Sequence, residues 1–210
     1  GALLKDNLII KVNAGTLQPH DVFASSGFFL TGPNNTIIGN QVSGAAGNGY
    51  WYSAPVELIG PSHTTYAMAH PYRTQLGIFE NNNARTVQQN GLFVDLGADM
   101  NNNPVVQGYD PRVDAMNNAS EPVLATFNTF QATKCQMYGA HTRGGYHAIV
   151  DAKIASCFGG VRFANAPFST ARQTMTRGLI QRVTQNAPTS VPNSSGALAG
   201  LPQRGIVPYG

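Results

Sequence analysis

Ile38-Gly39-Asn40 to Gly49-Tyr50-Trp51-Tyr52, Phe79-Glu80-Asn81 to Gly91-Leu92-Phe93-Val94, Phe127-Asn128 to Gly139-Ala140-His141-Thr142, and Val150-Asp151 to Gly160-Val161-Arg162-Phe163 repeat one pattern. Each begins with an apolar residue, places Asn or Asp near it, and after a gap supplies Gly and a short strand. The gaps from Asn or Asp to Gly are nine, ten, eleven and nine residues. Self-similarity on this scale marks a solenoid, because each unit can bury its apolar face only against the next. The pattern also fixes which residues stack on one another. On this reading Asn40, Asn81, Asn128 and Asp151 share one coil position and form a structural ladder of side chains satisfying turn backbone.

Around these repeats the segments are short, rich in Val, Ile, Phe and Tyr, and bounded by Gly, Asn and Pro, so the chain reads as all-β. Strands are expected at 8–12, 28–30, 36–38, 76–79, 123–127, 147–150, 178–180 and 205–207. Two insertions, about 54–74 and 96–121, leave the coil after the same strand and should project from one face. A tail at about 185–203 is rich in Pro, Ser, Gly and Ala. The whole chain, 1–210, reads as a single β-helix segment, and the pattern running up to Gly210 leads to the expectation of a fragment of a larger extracellular protein.

Composition narrows the function. Charged residues make up 11% of the 210, against roughly 25% in an average domain. Net charge is +3, with no Lys/Arg run to mark a nucleic-acid footprint, and no apolar run approaches the ~20 residues of a membrane helix. Cys135 and Cys157 lie 22 residues apart. They could sit on neighbouring coils, either as a disulfide suited to a secreted protein or as two buried thiols. Asn34, Asn118 and Asn193 open glycosylation triplets.

Strand residues alternate in and out. After each repeat Gly, Tyr50 and Tyr52, Leu92 and Val94, Ala140 and Thr142, and Val161 and Phe163 should fill the core. The outward column then reads Trp51, Phe93, His141, Arg162, beside Ser53, Asp95, Arg143, Ala164. Trp51, Phe93 and Arg162 are candidate glycan-binding residues, since aromatic faces suit the C–H faces of sugars. Asp95, His141 and Arg143 are candidate catalytic residues: a carboxylate, a ring that can carry a proton near neutral pH, and a guanidinium fork for a uronate. The insertions could wall a groove here or cover it, and the exposure of Trp51 and Phe93 separates the two. Glycoside hydrolysis generally uses two carboxylates, and Asp99 is the nearest partner in sequence for Asp95. Asp99, Asp110 and Asp114 are also the densest acidic group for a cation, although solvated loop acids are the simpler reading.

Leu4 to Gly44, with Gly15-Thr16-Leu17-Gln18-Pro19-His20-Asp21 and Phe28-Phe29-Leu30-Thr31-Gly32-Pro33-Asn34-Asn35, resembles the β-helix of the cell-surface hyaluronidase family, which includes cell-migration-inducing hyaluronidase, transmembrane hyaluronidase and fibrocystin-L. The likeness continues through Gly49-Tyr50-Trp51-Tyr52, Leu76-Gly77-Ile78-Phe79-Glu80-Asn81-Asn82, Gly91-Leu92-Phe93-Val94-Asp95, Gly139-Ala140-His141-Thr142-Arg143-Gly144-Gly145 and Gln203-Arg204-Gly205-Ile206-Val207-Pro208-Tyr209-Gly210. It implies a right-handed parallel β-helix from a secreted or membrane-anchored ectodomain. Part of the family is calcium-dependent and cleaves hyaluronan, and fibrocystin-L-like members resemble receptors or structural surface proteins. Asp95 and Arg143 match the family pattern. Tyr138, His141 and Tyr146 depart from it, standing where relatives have His, an aromatic and often Asp. The expected function is an extracellular module that binds, and in the fuller form cleaves, a polysaccharide of hyaluronan type. The alternative is a structural module of an extracellular filament or surface coat, with neighbouring protein chains as partners. Antiparallel pairing would point instead to a viral jelly roll.

Overall fold

The structure is a computed structural model and describes residues 1–15, 25–58, 61–99, 104–164, 172–181 and 204–209. The expected tail at 185–203, Asn193 and residues 16–21 of the first motif lie outside the described residues. Within them the chain winds through six coils of three strands. Coil one holds β1 (Leu3–Lys5), β2 (Leu8–Val12) and β3 (Phe28–Leu30); coil two holds β4 (Thr36–Ile38), β5 (Gln41–Ala45) and β6 (Tyr50–Tyr52). Coil three has β7 (Ile78–Glu80), β8 (Asn83–Arg85) and β9 (Leu92–Val94), followed by the small hairpin β10 (Gly97–Ala98) and β11 (Pro104–Val105). Coil four has β12 (Ala125–Asn128), β13 (Gln131–Thr133) and β14 (Tyr138–Arg143). Coil five has β15 (His147–Val150), β16 (Lys153–Ala155) and β17 (Gly159–Ala164), and coil six has β18 (Gln173–Thr176), β19 (Leu179–Gln181) and β20 (Arg204–Tyr209).

The first strands of the six coils form one sheet, the second strands another and the third strands a third. Within all three sheets the strands pair in parallel; among the described strands only the β10–β11 hairpin is antiparallel. The fold is therefore a parallel β-helix, and the jelly-roll alternative fails on strand direction. The expected strands lie within a few residues of the observed ones. A short helix, α1 (Pro61–Thr65), was not expected.

In-register pairing turns period-2 alternation into columns. Ile37, Phe79, Phe127 and Ile149 stack inside the first sheet, and Val42, Ala84, Ala132 and Ile154 inside the second. Tyr50, Leu92, Ala140 and Val161 stack inside the third, all fully buried, as the repeat predicted. Tyr50 packs edge-on against Phe79 and Phe130, with centroids 5.4 and 6.0 Å away. Burying each such large apolar side chain contributes about 1.5–3 kcal/mol.

The repeat glycine marks a corner that has no room for a side chain. A Cβ at Gly49 would lie 2.6 Å from the Gly91 carbonyl oxygen, and one at Gly91 would lie 2.5 Å from that of Gly139. Each glycine thus makes space for the backbone of the next. The other two corners turn through left-handed residues. Asp6, Gly39, Asn81, Thr129, Asp151 and Arg177 follow the first sheet, with φ of 51–68°, and Lys11, Gly44, Thr86, Lys134 and Ser156 follow the second, with φ of 55–74°.

The expected side-chain ladder needs correction at this point. Asn40 does not align with Asn81, Asn128 and Asp151. Its Nδ2 donates to Oδ1 of Asn82 at 3.1 Å, and its Oδ1 accepts from Nδ2 of Asn7 at 2.8 Å. Asn81 and Asp151 belong to the left-handed column one residue earlier, while Asn128 is strand, paired with Val150. The true amide ladder is Asn7–Asn40–Asn82, and it gives way to Phe130 and Ala152. A second one, Asn48–Asn90, stands before the repeat glycine, with Nδ2 of Asn90 donating to Oδ1 of Asn48 at 2.9 Å. Both ladders satisfy buried turn backbone: the Asn40 and Asn90 N–H groups donate to Asn82 and Asn48 side-chain oxygens.

The two insertions leave the third sheet and brace each other at its corner with the first. The Asp110 N–H donates to the Tyr72 carbonyl at 2.8 Å and the Arg112 N–H to the Arg73 carbonyl at 2.8 Å. Tyr109 latches the second insertion to the helix. Its hydroxyl donates to the Thr74 carbonyl at 2.8 Å, and its ring stacks on His147, centroids 5.5 Å apart. Nε2 of His147 donates to the Tyr109 carbonyl at 2.8 Å. Gly144, with φ of +130°, lets the Tyr109 backbone approach; a Cβ there would meet the Tyr109 oxygen at 1.9 Å.

Two outcomes follow from this architecture. Gly91→Ala places a methyl group against fixed backbone and should cost about 2–3 kcal/mol in chemical denaturation. Burial pushes the fully buried His147 imidazole down to about 4. The folded state therefore favours neutral His147, so this contribution is complete above the unfolded value near 6.5 and is lost as pH falls from there towards 4. The loss amounts to about 3 kcal/mol, and His147→Gln should flatten the dependence of the unfolding midpoint on pH across that window.

Candidate functional site

The outward column on the third sheet forms as expected in register. Trp51 pairs with Phe93, Phe93 with His141 and His141 with Arg162. Phe29 extends the column by one coil, and Gly27 before it takes the same corner position as the repeat glycines, against the Gly49 carbonyl. The rings run on from one another, with centroids 4.7 Å apart for Phe29–Trp51, 6.1 Å for Trp51–Phe93 and 5.0 Å for Phe93–His141. Tyr138 joins the cluster 6.2 Å from His141, and the Arg162 guanidinium lies over its ring at 5.6 Å.

Exposure separates the two alternatives. Trp51 is 4% exposed and Phe93 3%, whereas Phe29 at the end of the column is 46% exposed, so the two central rings are covered and are not open platforms. The indole N–H of Trp51 is used internally and donates to the Asp95 carbonyl at 3.0 Å. In this conformation neither ring presents an open face to solvent.

Asp95, His141 and Arg143 do converge, although Asp95 lies 46 and 48 residues from the other two. Asp95 Oδ2 accepts from His141 Nε2 at 3.0 Å, and both carboxylate oxygens receive Arg143 Nε at 2.8 Å. Its Oδ1 also accepts the Leu96 N–H at 2.7 Å, and Leu96 itself takes a left-handed φ of 58°. The Asp95 and His141 side chains are 4% and 5% exposed, that of Arg143 18%. Burial pulls the Asp95 carboxyl up, but the His141 ring and the Arg143 guanidinium outweigh it and hold the group below the usual carboxylate range. Burial pushes the His141 imidazole down; Asp95 pulls it back, Arg162 and Arg143 oppose, and the net shift is downward. A neutral ring bonded to an ionised carboxylate carries its proton on Nε2. Asp95 thus acts as the anionic hub that orients His141 and Arg143, and both its oxygens are already committed.

The acidic loop residues are placed differently. Asp110 is ion-paired with Arg112, and the Asp114 carboxylate accepts the Met116 N–H at 2.9 Å. Among the described residues no group of three His, Cys, Asp or Glu side chains, Asp99 included, is arranged to hold a metal ion. Cys135 and Cys157 do stack on neighbouring coils, but as free buried thiols. Cys157 Sγ instead accepts the Cys135 N–H at 3.4 Å: in-register side chains leave parallel strands in the same direction, which works against bridging geometry. Asn34 and Asn118 are exposed.

Comparison with known proteins places this geometry. Residues 3–92 match the family model described as CEMIP beta-helix. The chain is 31% identical over 157 residues to human cell surface hyaluronidase CEMIP2, an alignment covering 69% of this chain and 11% of that protein. It is 30% identical to human cell migration-inducing and hyaluronan-binding protein over 156 residues, again 69% of this chain and 11% of the other. With human fibrocystin-L it shares 30% identity over 145 residues, 69% of this chain and 3% of that protein. The chain therefore spans about a tenth or less of these relatives' length. Over most of its own length, it resembles the parallel β-helix region of the cell-surface hyaluronidase and fibrocystin-L family.

Proposed function

We propose that this chain is an extracellular β-helix module of a hyaluronan-related protein, and that it binds polysaccharide without cleaving it. The similarity to a cell surface hyaluronidase and to a hyaluronan-binding protein over 69% of the chain supports the hyaluronan side of this reading. The bonding of Asp95 carries the choice of binding over cleavage. A glycosidase acid must carry a proton at working pH, and its base or nucleophile must reach the sugar. Asp95 is held below the usual range, sealed from solvent and bonded through both oxygens. In this reading Asp95 positions Arg143, whose partly exposed side chain stands at the edge of the cluster, and Arg143 with Arg162 supplies the cationic contact for a uronate.

The burial of Trp51 and Phe93 favours a second reading, a structural module of a surface coat. Mixing the purified chain with hyaluronan separates the two. Binding without loss of polymer length is the expected outcome; release of oligosaccharides would overturn the non-catalytic assignment, and absence of binding would leave the structural one. Arg143→Ala should weaken binding several-fold and also cost about 2–3 kcal/mol in stability, because it strips the buried Asp95 carboxylate of one of its two partners; Arg143→Lys, which keeps the charge, should restore most of the stability. Asp95→Asn should unfold more readily by about 2–3 kcal/mol, because it takes the charge partner from the partly buried Arg143 guanidinium and the carboxylate from the buried His141 ring.

A further inference from the structure

The second sheet differs from the rest of the molecule in charge. Residues 7–14, 40–47, 82–89, 130–137, 152–158 and 178–181, its strands with the turn that follows them, contain Lys11, Arg85, Lys134 and Lys153 and not one Asp or Glu, while Asp6 and Asp151 stand at the corner before it. All ten acids of the chain lie elsewhere. The four cations are exposed, and none forms an ion pair among the described residues. Between them the outward column presents the amides of Gln41, Asn83 and Gln131 before it reaches Lys153.

A hollow lies at the edge of this sheet beside Gly44. In the left-handed column Lys11, Gly44, Thr86, Lys134, Ser156, every position but the second carries a side chain. A Cβ at Gly44 would meet nothing closer than Lys11 backbone at 3.8 Å, so the space beside it is open. The cavity measures about 380 Å³; Val12, Ala14, Ala45 and Ala46 give it a mostly apolar floor, and Lys11, Asn13, Thr86, Gln88 and Gln136 stand around it. That volume falls in the lower part of the range for small-ligand pockets. The lining offers an ammonium, a hydroxyl and several amides, with no carboxylate to repel an anion. Lys134 stands two rungs beyond Gly44 in the same column, roughly 10 Å away, and Lys11 one rung on the other side.

We propose that this face binds a linear glycan carrying carboxylates, one sugar unit seated in the Gly44 hollow and its neighbours laid across the rungs towards Lys134. The proposal rests on the glycan-binding reading above but places the contact on a different sheet from Arg143. Charge spacing favours a glycan over nucleic acid. Duplex DNA carries a charge about every 1.7 Å of axis, whereas these cations are isolated by whole rungs and interleaved with amides that suit hydroxyl and acetamido groups.

Hyaluronan oligosaccharides titrated into the 210-residue chain at low salt test the site, with circular dichroism confirming the fold of each variant. Lys11→Gln combined with Lys134→Gln should lower the association constant about tenfold. Gly44→Asn, a residue that tolerates the left-handed turn, should fill the hollow and lower it comparably. A neutral N-acetylglucosamine oligosaccharide of equal length should bind at least about tenfold more weakly. Unchanged hyaluronan affinity in these variants, together with a loss in Arg143→Ala, would sink the second-sheet site and leave the proposed function standing. Absence of hyaluronan binding by the unsubstituted chain would remove both. Tighter binding of a single-stranded oligonucleotide than of hyaluronan, lost in the same variants, would keep the face and overturn its glycan assignment.

Discussion

The backbone ladder between coils is the constraint on which everything else depends. Parallel strands held about 4.8 Å apart oblige each residue to share its surroundings with the residue one coil above and one coil below. A corner that is tight in one coil is tight in all of them. The succession Gly27, Gly49, Gly91, Gly139 follows directly, because each position lies against the carbonyl of the next. The asparagine ladders obey the same logic in a polar form: the oxygen of Asn82 serves the backbone of Asn40, and that of Asn48 serves Asn90. The first ladder ends where Phe130 and Ala152 take over the position, so a side-chain ladder is one way to fill that corner and apolar packing is another.

The same ladder assembles the Asp95 cluster. Residues nearly fifty positions apart in sequence become neighbours because Val94 pairs with Thr142, which sets Asp95 beside Arg143. Charge then settles the geometry. One carboxylate removed from water holds two basic side chains, and their joint attraction exceeds the penalty of burying it.

Charge is also unevenly shared among the faces. The third sheet buries Asp95 and His141 beside the covered rings of Trp51 and Phe93. The second sheet keeps four cations in solvent, excludes acids and leaves a hollow at Gly44. The corner between third and first sheets is occupied by the two insertions, tied down through Tyr109 and His147. The second sheet also exposes Leu8, Ile10 and Leu179 at its two ends, so Arg85, Lys134 and Lys153 stand along its middle rungs between apolar margins.

The amino-acid sequence by itself determined the solenoid, the inward and outward columns of the third sheet and the meeting of Asp95, His141 and Arg143. Periodicity of two and a recurring glycine are local consequences of pairing, so they are written along the chain. The position of the asparagine ladder was less legible. Asn and Asp suit both the ladder and the left-handed corner beside it, and the unequal gaps before Gly91 and Gly139 signalled that Asn81 and Asn128 were out of step; counted from Asn82 the gap to Gly91 is nine, as it is from Asn40 to Gly49. Only the tertiary structure decided that Trp51 and Phe93 are sealed, that Cys135 and Cys157 stay as thiols and that the second sheet presents an acid-free face. Each of these depends on how distant coils and insertions lie against one another, and no single stretch of sequence carries that information.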